Sequence, residues 1–233
     1  MPETTLAELL ERNARHAESL TESYFDPVQT AQEPAVVSVC CSDSRVSQEG
    51  MWSVDEPGWL FTVGNIGNQA TDRYDGDEVL SGDLLYPIQF TDTKIAAVVG
   101  HTGCGAVTAA LERVRSDDPD PLAPGIEKRV ESLVPIVEAG LADPRIDADR
   151  DATLVNQLVE YNVDQQVDFI RTSDSIPDSA TVVGFVYDFQ GVYSDTRGIS
   201  NLVNYGGETS VEKLRSIVPD EFRDHAQRLL PSD

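Results

Sequence analysis

The stretch Pro34-Ala35-Val36-Val37-Ser38-Val39-Cys40-Cys41-Ser42-Asp43-Ser44-Arg45 decides the reading of this chain. A second stretch has the same design: Ile95-Ala96-Ala97-Val98-Val99-Gly100-His101-Thr102-Gly103-Cys104-Gly105. Each starts as a short apolar, β-branched run and ends in a loop that holds chemically active side chains. Together they hold all three cysteines and one of the three histidines. If the two runs are neighbouring parallel strands, both loops open at carboxyl ends, where open α/β sheets bind ligands. His101 and Cys104 are three apart and fall on one side of a single turn. With Cys41 they form a Cys₂His set that leaves a fourth position open, the catalytic rather than the structural pattern for zinc. The competing reading is two buried cysteines and a hydrogen-bonded core histidine. Cys40 and Cys41 are consecutive in a strand and point to opposite faces, so only one can join the set. Cys41 is assigned to it, and Cys40 is read as a small buried side chain.

Working outward, Trp59-Leu60-Phe61-Thr62-Val63 after Pro57-Gly58 is a second strand, and 180–187 is a fourth after the one at 95–100. The turn Asp188-Phe189-Gln190-Gly191 leads to a short hairpin-like strand, Val192-Tyr193-Ser194. Apolar spacing predicts helices over 77–90, from 105 through Leu111, over 125–140, 151–172 and 209–230, and an amphipathic arm over 4–22. Strands that alternate with helices imply an α/β fold. The expectation is a mostly parallel central sheet of four strands plus a short antiparallel edge strand, flanked by helices, with the N-terminal arm lying on a partner surface. No repeats or linkers interrupt the chain, so one domain spans 1–233.

Formal charge is −24, from 41 acidic and 17 basic residues, and the acids are scattered over the whole length. Only Lys94, Lys128 and Lys213 are lysines, so the clustered cations that bind nucleic acid or anionic lipid are missing. Such a surface repels itself in dilute buffer, and the repulsion is screened in ~1 M salt, where the Debye length is ~3 Å. The expectation is a protein adapted to a salt-rich cytoplasm. No run of ~20 apolar residues spans a membrane, and Met1-Pro2-Glu3-Thr4 does not start as a secretory signal does. An odd number of cysteines in a chain read as cytoplasmic points to metal or nucleophile chemistry rather than disulfides. A Cys-x-x-Cys redox pair is absent. Cys40 to Arg45 is one residue short of the phosphatase spacing.

Asp43 and Arg45 stand two and four residues after a proposed ligand, which favours a role beside a metal over a plain loop ion pair. Cys41-Ser42-Asp43-Ser44-Arg45 with His101-x-x-Cys104-Gly105 resembles the β-class carbonic anhydrases, over about residues 30–195. The resemblance implies one Zn²⁺ per subunit on Cys41, His101 and Cys104, and a dyad of Asp43 and Arg45. It implies reversible hydration of carbon dioxide to bicarbonate and a proton by a zinc-bound hydroxide. Similarity to the plant-type members further implies that Gln32, Phe61 and Tyr86 line the carbon dioxide pocket and that the fourth zinc position is open. Apart from the resemblance, Gln32 reads as a turn residue, Phe61 as core and Tyr86 as a helix face. The implied division is an arm at 1–30, a catalytic core at 31–195 and a C-terminal helical segment at 196–233, with subunits paired as a homodimer or higher homo-oligomer. Gly64 departs from the many relatives that have an arginine there. Rival functions are hydrolysis of carbon disulfide or carbonyl sulfide on the same site, and a non-catalytic protein with structural zinc.

Overall fold

The computed structural model describes residues 5–147, 149 and 151–232. Five strands form one sheet: β1 (Val36–Cys41), β2 (Leu60–Asn65), β5 (Ile95–His101), β6 (Thr181–Asp188) and β7 (Ile199–Tyr205), in the order β2-β1-β5-β6-β7. The first four are parallel and β7 is antiparallel to β6. The chain leaves β1 toward β2 on one side and returns through β5 on the other. The β1/β5 boundary is therefore the switch point of the topology, with Cys40 level with Val99. Both motif loops start there.

Strand alternation sorts the core. Val37, Val39 and Cys41 face the helices together with Ala96 and Val98. These helices are α3 (Gly82–Phe90), α4 (Gly105–Arg115), α5 (Pro124–Glu131), α6 (Val134–Ala142) and α7 (Asp151–Arg171). Helix α7 lies close against the sheet, because a Cβ on Gly100 or Gly184 would come within 2.8 Å of Val163. Cys40, Ala97, Val99 and Val183 face the opposite way, onto α8 (Val211–Ile217) through Leu214 and onto Ala226. This second face is thinly covered, and an apolar groove of about 530 Å³ lined by Trp52, Trp59, Ile95, Val183 and Ile217 remains open on it. The arm helix α1 (Leu6–Ser19) has no buried residue, Leu6, Leu9 and Leu10 are all exposed, and a single turn, α2 (Gln48–Met51), lies between β1 and β2.

Four sequence expectations are corrected. Residues 77–90 are not one helix, since Asp77–Leu80 is strand β4, paired antiparallel with β3 (Thr71–Tyr74). The turn between them holds Asp75 and Gly76 at φ 52° and 93°, the left-handed pair that an Asp-Gly hairpin turn requires. The antiparallel edge strand is β7 rather than 192–194. The N–H groups of Val192 and Tyr193 are taken by the Asp188 carboxylate, which leaves them no ladder to join. The C-terminal segment consequently contains a strand, and its charged stretch is the short α8 followed by a 3₁₀ turn, Asp220–His225, not a helix over 209–230. The helix expected over 125–140 is likewise two, α5 and α6, broken ahead of Pro135.

Candidate metal centre

Cys41 ends β1 and His101 ends β5, while Cys104 precedes α4. The two sulfurs stand 3.8 Å apart. With a ring nitrogen of His101, the three ligand atoms all lie within 4.8 Å of one another, and all three residues are buried. His101 is fully buried, and its Nδ1–H donates to the Thr102 carbonyl at 3.0 Å. That bond fixes the tautomer and leaves Nε2, a buried atom without a hydrogen-bond partner, as the free donor. The cluster titrates as a unit. A hydrogen bond from Cys41 holds Cys104 down to about 4; His101 adds to this, and burial opposes it. The same bond, then burial, pushes the Cys41 thiol up. Burial counts against charge on His101, yet the neighbouring Cys104 sulfur raises its pKa overall. Cys40 stands apart, pushed up to about 12 mainly by burial. Two sulfurs, one of them readily ionised, and one unpaired imidazole nitrogen suit a soft divalent cation, with zinc the best match.

Asp43 lies beside this cluster, its Oδ2 3.7 Å from His101 Nε2. Arg45 grips it from the other side: Nε donates to Oδ1 at 2.8 Å and Nη2 to Oδ2 at 2.6 Å, and the Arg45 backbone N–H adds a third bond to Oδ1. The side-chain bonds from Arg45 hold the Asp43 carboxyl far below the usual range, against a smaller opposing effect of burial.

A family model described as carbonic anhydrase matches residues 36–192. The chain belongs to the β-class carbonic anhydrases. The carbonic anhydrase of Pseudomonas aeruginosa is 26% identical over 77% of this chain and 80% of its own. First-ranked curated relatives are matched over between 30% and 80% of their length. Among solved structures, the Coccomyxa β-carbonic anhydrase aligns with a TM-score of 0.70 at 22% identity, over 96% of each chain. A β-carbonic anhydrase of Sordaria macrospora, described as tetrameric, aligns with a TM-score of 0.64 at 19% identity, over 78% of this chain and 90% of its own.

For a β-carbonic anhydrase, the remaining sequence-derived residues lie away from the cluster's own bonds. Phe61 on β2 and Tyr86 on α3 meet with ring centroids 6.3 Å apart, and Gln32 is exposed ahead of β1. Among the described residues, the hydrogen bonds and ring contacts of Cys41, His101 and Cys104 involve none of these three. Gly64 leaves no room beside Ser42, whose Oγ a Cβ would meet at 3.0 Å. Two participants were missed by the sequence reading. Phe189 stacks on His101 at 5.8 Å, and the Arg45 guanidinium lies 4.6 Å above the same ring, so one phenyl group packs against both side chains. Asn156 Oδ1 accepts the Gly103 N–H at 2.8 Å and fixes the loop between His101 and Cys104. Phe189 was visible only as part of a turn, and Asn156 only as a polar position within a helix.

Proposed function

We propose that this protein catalyses reversible hydration of carbon dioxide to bicarbonate and a proton, with one Zn²⁺ per subunit held by Cys41, His101 and Cys104. The observation that carries the reading is the buried, unpartnered Nε2 of His101 facing two sulfurs, with the Asp43 carboxylate 3.7 Å away. Zinc held there would supply a lowered pKa for water, about 7 with three neutral ligands and higher with two thiolates, so that activity rises above neutral pH. Cys41 and Cys104 would ligate as thiolates, and His101 as the neutral tautomer that Thr102 selects. Asp43 accepts a hydrogen bond from the attacking oxygen and orients it toward carbon dioxide. Arg45 keeps Asp43 ionised and turned away from ligation; both of its oxygens are already bonded to Arg45, which supports an open fourth position. Gln32, Phe61 and Tyr86 line the carbon dioxide pocket, completed from two subunits.

Stopped-flow proton release from carbon dioxide in high salt tests this reading. Wild type shows zinc-dependent turnover, and Asp43→Ala loses ~10²- to 10⁴-fold in kcat, the range for a positioned proton-handling group. Zinc-loaded wild type with no rate means a structural metal. Sulfide release from carbon disulfide without carbon dioxide turnover means the rival hydrolase. A parallel arm in dilute buffer tests salt adaptation, where the −24 chain is expected to lose activity.

The active species is a homo-oligomer of a single domain, working in the cytoplasm. Among the described residues no helix is long and apolar enough to cross a membrane. The exposed Leu6, Leu9 and Leu10 of α1 match in character the open groove lined by Trp52 and Trp59, and a second copy offers both surfaces in exchange. Sedimentation of the full chain should give a dimer or larger, and removal of residues 1–20 should shift it toward monomer. An unchanged mass after removal would discard the arm as the contact.

A further inference from the structure

Helix α7 reaches toward Cys41 as well as toward Gly103. Asn162 Nδ2 donates to the Gly67 carbonyl at 3.1 Å and lies 3.4 Å from Asn68 Oδ1. Behind it, Gln166 Nε2 donates to Asn162 Oδ1 at 3.2 Å, and Gln166 Oε1 accepts the Ala70 N–H at 2.8 Å. Both amides are at most 3% exposed, so water does not substitute for these bonds. What they hold is the turn at Gly67 and Asn68, which places two successive residues in the left-handed region, at φ 82° and 45°. Asn68 is not glycine, so the turn is strained and needs support from outside. It also cannot relax by filling in, since a Cβ on Gly67 would meet Leu133 at 2.7 Å. Held this way, the Gly67 N–H donates to Cys41 Sγ at 3.4 Å. A hydrogen bond to a thiolate withdraws electron density from the sulfur and makes it a weaker donor to a metal.

We propose that Asn162 is a positioning residue for Cys41: by bracing the Gly67–Asn68 turn from α7, it keeps one N–H on the ligand sulfur and sets that sulfur's donor strength. The inference rests on the reading of Cys41 as a zinc ligand. The Asn156 contact on the other loop differs in kind, because there the backbone N–H of Gly103 points into the helix side chain and not at a sulfur.

The test compares cobalt-substituted and zinc-loaded wild type with Asn162→Leu. The thiolate-to-cobalt charge-transfer band of the variant moves to longer wavelength, since a sulfur without its N–H bond gives up an electron more readily. Zinc loss to a chelator slows, because a sulfur freed of its N–H bond is the stronger donor to the metal. A fold that was merely loosened would speed metal loss and leave the band where it was, which overturns the proposal. An unmoved band with an unmoved loss rate overturns it as well. A wild type that binds neither ion defeats the zinc reading itself, an outcome distinct from both. Should Asn162→Leu fail to fold, Gln166→Met, one step further along the relay, moves the band the same way by less; no movement there overturns the proposal.

Discussion

Two buried polar clusters sit against α7, and they end differently. One is Cys41, His101 and Cys104. The other joins Glu160, Asp164, Tyr193 and Arg228, where the C-terminal tail crosses the helix. Arg228 donates to Asp164 at 2.7 Å and lies 3.2 Å from Glu160, and it also reaches the Val203 carbonyl. Glu160 further accepts from Tyr193 Oη at 2.7 Å and from the N–H groups of Leu229 and Leu230. Apart from Arg228 Nε, each buried side-chain N or O atom of that cluster has a partner within the chain. The cysteine–histidine cluster instead leaves, among the described residues, the buried Nε2 of His101 without a hydrogen-bond partner beside two sulfurs 3.8 Å apart. Burying a polar atom without a partner costs about 1–3 kcal/mol. A chain that completes one cluster and leaves the other open is organised around a ligand from outside in the second case and around itself in the first.

The largest effect that could break this contrast comes from Cys104→Ser. A serine hydroxyl of nearly the same size does not ionise to ligate zinc, so metal content should fall from roughly one per subunit toward none, and turnover with it. The unfolding free energy of the metal-free chain should change by less than about 1 kcal/mol, because no cavity opens and the cluster lends the metal-free fold little. Metal analysis and chelator-treated denaturation curves read the two halves separately. A metal-free variant that unfolds far more easily than metal-free wild type would make the open cluster a structural element after all.

Much of the metal centre was legible because its logic is local. A strand that ends in Cys41-x-Asp43-x-Arg45 and another that ends in His101-x-x-Cys104 carry the proposed ligands and dyad without any long-range information, and strand alternation separates Cys41 from Cys40. The parts that were not legible depend on where backbone hydrogen bonds go. Tyr193 reads as strand by composition, but Asp188 takes its N–H, and its hydroxyl goes to Glu160. Residues 199–205 contain Asn201 and Asn204, which read as turn residues until their amides are seen to bond the Val186 carbonyl and Asp164. The Asp75-Gly76 turn was readable in principle and was hidden by the apolar run that follows it. Asn156, Asn162 and Phe189 are legible only in three dimensions, because each acts on a loop more than fifty residues away in the chain.

Arg228→Met sharpens the comparison from the closed side. Methionine fills much of the space of arginine but removes the cation that faces Glu160 and Asp164, which among the described residues leaves two buried carboxylates without a counter-charge. Breaking a buried pair this way costs about 3–5 kcal/mol, measured as a shift in the denaturant midpoint. The pH dependence identifies the cause. Burial raises the Glu160 pKa in the folded chain, while Arg228 first, then Leu229, Tyr193 and Leu230, hold it back. A raised folded pKa means that stability is fully present below the unfolded value of ~4.3 and declines as pH rises through the folded value. Without Arg228 the folded value goes higher still, so the penalty of the variant should be small near pH 4 and grow through neutrality. Tyr193, which donates to Glu160, does not reverse this trend, because burial and Glu160 hold its hydroxyl well above its ordinary range. Because the tail does not touch the sulfur cluster, zinc content and turnover per folded molecule should stay at wild-type values. A penalty that is flat with pH would mean the loss comes from packing of the arginine stem instead of from unpaired charge, and the second cluster would then be closed by shape and not by electrostatics.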